Sequence, residues 1–275
     1  MCFKLANYDA LLLHFSFGQI SSVNYLDCVI RHGRWTGNTS GFRDVPGMNI
    51  VGVVKIAGPG SSFKEGDRVA AIVKTGGNSR YTVCSSKGLL KIDHRDDAQS
   101  ICAILSAYLP AFSMIHQGLG GYSERYKQNS LFGKDVLING GMGNTGQAVI
   151  HLARILGAKN IYATGKKKDY RYLKEIGATP LPLGKTGIRE SIDLIFDTTC
   201  TDMLGILTPM LTSKGRMILD HYGDISANGE HEFRTRIDSF LIYGKAAMAG
   251  DCYICDYLDN FNENFDLFQV CSSFS

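Results

Sequence analysis

Up to about Leu90 the chain alternates short runs of branched and aromatic residues with glycine-rich breaks. Residues 11–17, 50–57, 67–73 and 81–84 read as strands, broken by Gly58-Pro59-Gly60 and Thr75-Gly76-Gly77-Asn78. Short strands punctuated this densely predict a small antiparallel barrel. Residues 62–69 read as the turn that delivers the chain into one of those strands. From Asp96 to about Gly118 the apolar period becomes helical, with Ile101, Leu105 and Tyr108 on one face and Pro110 interrupting. From Asp135 onward, strands expected at 136–139, 160–164, near 180–183, 192–196 and 216–219 alternate with helices near 145–156, 169–176 and 202–211. Near-continuous apolar strands alternating with helices predict a parallel, doubly wound sheet. Residues 241–249 read as one more strand and 257–268 as a helix. The fold class is therefore α/β, a doubly wound parallel sheet preceded by a β-barrel, with the domains expected at 1–117 and 118–275.

Composition narrows the function without naming it. A chain of 275 residues suffices for two modest domains, and its 44% hydrophobic and 20% charged residues are those of an ordinary globular protein. A formal charge of +3 without a long basic stripe argues against nucleic acid and anionic membranes as partners. No run of about 18 apolar residues is expected to cross a membrane, and residues 1–17 read as a core strand, not a signal peptide. The eight cysteines are scattered, which points to a reducing compartment, the cytoplasm. The one close pair, Cys252-x-x-Cys255, lacks the second pair that a structural zinc site needs.

One stretch carries recognisable chemistry. Residues 135–153 read as a buried strand, a tight turn and an amphipathic helix, and Gly141, Gly143 and Gly146 supply the spacing G-x-G-x-x-G within it. In that context the first glycine permits the turn, the second lets a pyrophosphate approach the backbone, and the third lets helix and strand pack closely. The N–H groups at Asn144, Thr145 and Gly146 would face the diphosphate at a helix N-terminus, where the dipole favours an anion. NAD-specific folds carry an Asp or Glu at the end of the second strand. Here that position is Gly165, followed by Lys166-Lys167-Lys168. Without the carboxylate, and with cations that can neutralise a 2′-phosphate, the expected cofactor is NADPH, with Lys166 the leading contact and Lys167 beside it.

Four blocks in register extend this reading. Residues 22–33 (SVNYLDCVIRHG) resemble a family segment S/G-V-N-x-x-D-x-x-I-R-x-G, and residues 45–54 (VPGMNIVGVV) resemble P-G-x-D/E-x-x-G-x-V. Residues 63–69 (FKEGDRV) resemble F-x-x-G-D-R-V, and the glycine turn is the fourth block. On these blocks the chain resembles the zinc-free medium-chain dehydrogenase/reductase superfamily, in its quinone oxidoreductase and enoyl reductase branch. The resemblance implies a GroES-like barrel followed by a Rossmann domain, with the active site in the cleft between them. Zinc enzymes of the wider superfamily have G-H-E where this chain has Gly47-Met48-Asn49, and thioether and amide are poor zinc ligands, so no metal is expected. Cys28 and His32 at i, i+4 lack a third ligand nearby.

The resemblance also implies a reaction: hydride transfer from NADPH to a quinone or an α,β-unsaturated carbonyl compound, without zinc. Asn24 and Asp27 match cleft residues of the family and are the catalytic candidates, although Asn24 also suits a turn and Asp27 a helix cap. Ser113 stands where relatives have a cofactor-holding Thr, and Tyr222 stands in a loop expected near the nicotinamide. The family's tyrosine two residues after the Asp27 position is Val29 here, while a second aromatic position is kept as Trp35. Water or Tyr25 would then supply the proton. Expected partners are the small-molecule substrate and, at most, a second copy in a homodimer. Relatives carry further strands before Leu11 and a segment returning to the barrel at their end, so the chain is expected to be shortened at both ends, with exposed sheet edges. Two other readings stay open: a non-catalytic NADPH-binding protein or degenerate copy, and a structural protein such as some relatives form in the eye lens.

Overall fold

A computed structural model describes residues 10–14, 20–24, 27–28, 31–32, 45–73, 76–86, 89–119, 129–182, 184, 187–199 and 203–219. Two compact units divide the chain between Ser106 and Ala107. The strand and helix expected at 241–249 and 257–268, together with Tyr25, Trp35, Tyr222 and the Cys252–Cys255 pair, lie outside the described residues.

The first unit is an antiparallel sheet of six strands. They are β1 (Ala10–His14), β2 (Ile20–Ser21), β3 (Asn49–Ala57), β4 (Arg68–Ile72), β5 (Tyr81–Ser85) and β6 (Leu90–Lys91). They pair in the order β5-β1-β3-β4-β6, and β2 adds to β3. The nine-residue β3 is the spine, because it pairs with β4 along one edge and with β2 and β1 in turn along the other. Its alternation fills two cores. Ile50 and Val54 pack with Val69, Ala71 and Val73, whereas Val51 packs with Ala70 on the opposite face. That second face is covered by Ile101, Cys102 and Leu105 of helix α1 (Ala98–Leu119).

Helix α1 corrects two expectations. It runs unbroken for 22 residues with Pro110 inside it. Proline there forfeits one backbone hydrogen bond, at a typical cost of about 3 kcal/mol. Leu109, Ala111, Phe112, Met114 and Ile115 are all buried around it, and that packing outweighs the loss. The helix is also long and apolar enough over Ala98–His116 to cross a membrane by length and composition. Its apolarity is that of a core helix, since residues buried against the sheets supply most of it. Asp97 caps its start by accepting the Ser100 N–H at 2.8 Å.

The second unit holds a five-stranded parallel sheet of β7 (Asp135–Asn139), β8 (Asn160–Gly165), β9 (Thr179–Pro182), β10 (Ile192–Asp197) and β11 (Leu211–Leu219). The order β11-β10-β7-β8-β9 makes β7 the point from which the chain winds first one way and then the other. Helices α2 (Asn144–Ile155), α3 (Tyr170–Glu175) and α4 (Leu204–Leu207) make the crossovers. α2 and α3 both stop on a glycine at positive φ, Gly157 and Gly177. In each, the next N–H reaches back to the helix, from Ala158 to the Ala153 carbonyl and from Ala178 to that of Leu173. Leu137, Ile195 and Leu207 centre the core on one face of the sheet. On the other face Gly118 of α1 lies so close that a Cβ would meet Ile218, Leu194 and Phe196 at 3.0–3.4 Å.

Candidate functional site

In an open parallel sheet, ligands bind beyond the carboxyl ends of the strands where the winding reverses. Here those ends are Asn139 of β7 and Asp197 of β10, and the glycine turn leaves β7 at that point. Gly140 takes φ +87°, and a Cβ on it would strike Thr199 and Thr198 at 2.6 and 2.8 Å. Gly141 lies against β8 and α3, where a Cβ would be 2.7 Å from Ala163 and 3.1 Å from Leu173. Gly146 sits on the turn itself, since a Cβ there would run into the Gly140 carbonyl oxygen.

Gly143 is different. A Cβ on it would meet only the Gly140 carbonyl oxygen, at 3.4 Å, an ordinary contact. Internal packing therefore makes little demand for glycine at 143, and the space beside its exposed backbone is open. Helix α2 starts there with extended backbone and no side-chain cap. Its hydrogen-bond ladder begins with Gln147 N–H to the Gly143 carbonyl at 2.9 Å, which leaves the N–H groups of Asn144, Thr145 and Gly146 ahead of it. An uncapped helix start beside open space fits a diphosphate.

Gly165 ends β8, and a Cβ there would be 2.8 Å from Leu173. The missing carboxylate thus has a packing cause as well as an electrostatic consequence. Lys166, Lys167 and Lys168 follow as exposed residues at a 3-10 turn over Lys167–Asp169. Close by, Gln147 donates to the Met142 carbonyl at 2.9 Å and accepts from the Tyr172 hydroxyl at 2.8 Å, which ties α2 to α3.

In the first unit Asn24 and Asp27 come together as a reciprocal helix cap. The Asn24 N–H donates to Asp27 Oδ2 at 2.8 Å, and the Asp27 N–H donates to Asn24 Oδ1 at 3.3 Å. Asp27, 3% exposed, spends its second oxygen on the Gly47 N–H at 2.6 Å. Its carboxylate is held by backbone donors from two segments, so it orients the loop. The free end of half-buried Asn24 is its Nδ2, a hydrogen-bond donor. We expect Asp27→Ala to lower unfolding stability by about 2 kcal/mol, because one buried and one half-buried N–H group lose their acceptor. Thermal melting checks it, and a midpoint equal to that of the unaltered chain would refute this structural role.

The G-H-E-like positions are also structural. Gly47 takes φ +104° under Asn78, while Asn49 is buried and donates to the Ser22 hydroxyl at 3.1 Å. Cys28 and His32 meet through the His32 Nδ1 and the Cys28 carbonyl at 2.7 Å. Among the described residues no three His, Cys, Asp or Glu side chains gather as a metal site. Ser113 is half-buried within α1.

Sequence reasoning missed a polar chain beneath the turn. The Thr164 hydroxyl donates to Asn139 Oδ1 at 2.6 Å and accepts the Gly140 N–H at 3.0 Å. Asn139 Nδ2 donates to Asp197 Oδ1 at 3.0 Å, which also accepts the Thr199 N–H and hydroxyl. The available signal was a polar residue closing each of three apolar strand runs.

Residues 18–128 match the alcohol dehydrogenase GroES-like domain. The GroES-like match covers β2 to β6 and α1, and the parallel sheet follows it. Its sequence is 31% identical over 160 residues to a mycocerosic acid synthase-like polyketide synthase of Mycobacterium tuberculosis, covering 57% of this chain and 7% of that protein. It is 29% identical over 194 residues to the chloroplastic NADPH-dependent alkenal/one oxidoreductase of Arabidopsis thaliana, covering 64% of this chain and 47% of that one. The chain thus spans about half the length of the plant relative and a small part of the mycobacterial one. Among solved structures, the CurK enoyl reductase superposes with a TM-score of 0.73 at 16% identity, over 97% of this chain and 82% of that one. The antiparallel unit and the parallel α/β unit share the fold of that enzyme, and residues 18–128 match the expected GroES-like domain.

Proposed function

We propose that the chain is an NADPH-dependent, zinc-free reductase of quinones or activated alkenes. The observation that carries this reading is the glycine turn at the winding reversal, where Gly143 leaves room that packing does not require and three N–H groups precede the α2 ladder. Asn144, Thr145 and Gly146 hold the diphosphate through those N–H groups, and Lys166 and Lys167 neutralise the 2′-phosphate. Bound there, the cofactor supplies a hydride to an electrophilic carbon of the substrate. Asn24 offers its Nδ2 to a carbonyl oxygen of the substrate, and Asp27 fixes the loop that presents it. The names of the plant relative and of the CurK enzyme point to the same substrate class. Cys28, Cys84 and Cys102 are free thiols, which fits the cytoplasm.

One observation favours a second reading, an NADPH-binding protein without catalysis: Asp27 has both oxygens committed to backbone donors. The test is NADPH binding by fluorescence alongside NADPH consumption with a panel of quinones and enones. The expected result is binding with turnover of at least one panel member. Binding without turnover selects the second reading, and no binding overturns both.

A further inference from the structure

Among the described residues of the second unit, four polar side chains are buried, and Asn139, Thr164 and Asp197 are three of them, each 1% exposed. Burial of such groups is costly unless they are hydrogen-bonded, and all three are. The polar groups at the other end of the same strands, such as the Asn160 to Asp135 pair, lie at the surface.

The buried chain acts on one backbone unit. Thr164 holds the Gly140 N–H through its hydroxyl and the Gly141 N–H through its carbonyl, at 3.0 and 3.2 Å. From the other flank the Thr198 hydroxyl donates to the carbonyls of Asn139 and Gly140, at 2.9 and 3.3 Å. The Gly140 carbonyl in turn accepts the Gly143 N–H at 3.0 Å and forms the surface on which Gly146 rests. Both polar atoms of Gly140 are thereby fixed from the two strands that flank β7, and Gly140 sets where α2 begins.

We propose that the Asp197–Asn139–Thr164 chain is a positioning device that aims the first turn of α2 at the cofactor diphosphate. This rests on the reading that NADPH binds there. Asp197 orients the Asn139 amide so that its Oδ1 faces Thr164. With its proton thus committed, the Thr164 hydroxyl presents a lone pair to Gly140 N–H. None of the three side chains needs to touch the ligand.

The test uses the full chain, NADPH titration by fluorescence, and thermal melting of each variant. Thr164→Val keeps the shape and removes the hydroxyl, and is expected to raise the NADPH Kd about tenfold, equivalent to about 1.4 kcal/mol of lost alignment. Thr164→Ser is expected to restore the Kd. Leu207→Ala, in the apolar core of the same unit, is expected to lower the melting temperature and leave the Kd unchanged. A folded Thr164→Val with an unaltered Kd overturns the inference, as does equal weakening by Leu207→Ala. Should Thr164→Val not fold, Thr198→Val, at a half-buried position, decides on the same scale: a weakened Kd supports the device and an unchanged one refutes it. Failure of the unaltered chain to bind NADPH removes the cofactor reading and this inference with it. Binding by the unaltered chain with no effect of either variant removes the inference alone.

Discussion

Gly146→Ala is expected to destabilise the second unit by about 3 kcal/mol, whereas Gly143→Ala leaves stability nearly unchanged and weakens NADPH binding about a hundredfold. The two substitutions add the same methyl group three residues apart on one motif, so the contrast isolates what each glycine is for. At 146 the methyl would enter the Gly140 carbonyl oxygen and crowd the Cα of Gly141. Both belong to backbone units already held by hydrogen bonds, through the Gly140 carbonyl and the Gly141 N–H, so they cannot retreat cheaply. The gain in helix propensity from glycine to alanine, about 1 kcal/mol, is too small to offset this. At 143 the methyl meets one oxygen at 3.4 Å and otherwise occupies open space. It costs the fold little, but it stands where a diphosphate would approach the N–H groups of Asn144 and Thr145. Melting curves and fluorescence titrations on the two variants give both readouts. A Gly143→Ala chain that binds NADPH as tightly as the unaltered one would show that the diphosphate does not lie against that backbone.

How much of this was legible in the sequence follows from the range of the interactions involved. The central parallel strands β7 and β10 were readable because they are buried on both faces, which writes a continuous apolar run such as Val136-Leu137-Ile138. The glycine turn was readable because three glycines fall within six residues at a recognisable spacing. Pro110 misled because its local penalty is visible in sequence while the packing that overrides it is assembled from distant residues. The Asn24–Asp27 pair was found by spacing, yet the partner of its second oxygen, Gly47, lies 20 residues away and only the fold brings it there. The Asn139–Asp197 bond, spanning 58 residues, left only three polar strand ends as its trace. Gly165 sharpened in the same way. Sequence explained the residue by the carboxylate it lacks, and the structure adds that a Cβ there would press on the Leu173 Cδ1 methyl.

The second large effect concerns cofactor choice. With a glycine packed against Leu173 at position 165, discrimination between NADPH and NADH falls to the residues after it. Lys166 is the nearest, exposed and in extended backbone at the start of the 3-10 turn. A 2′-phosphate held by a lysine gains a charge-assisted hydrogen bond, a contact worth about 1.5–3 kcal/mol. Lys166→Glu removes that contact and places a carboxylate beside the phosphate, so the NADPH Kd is expected to rise about a hundredfold. NADH has only hydroxyls at that point and is expected to bind within about threefold of its original affinity, since a Glu can accept from the ribose. Lys167 and Lys168 remain and soften the reversal, and salt screening softens it further, so the titrations belong at low ionic strength. Lys166→Met separates the two contributions: it removes the cation without adding an anion, and its effect on NADPH should fall between those of the unaltered chain and Lys166→Glu. The comparison is made as the ratio of the two Kd values within each variant, which cancels any general damage to the fold. If Lys166→Glu weakens NADPH and NADH equally, the lysine cluster is a solvated turn, and the preference for NADPH loses its structural basis.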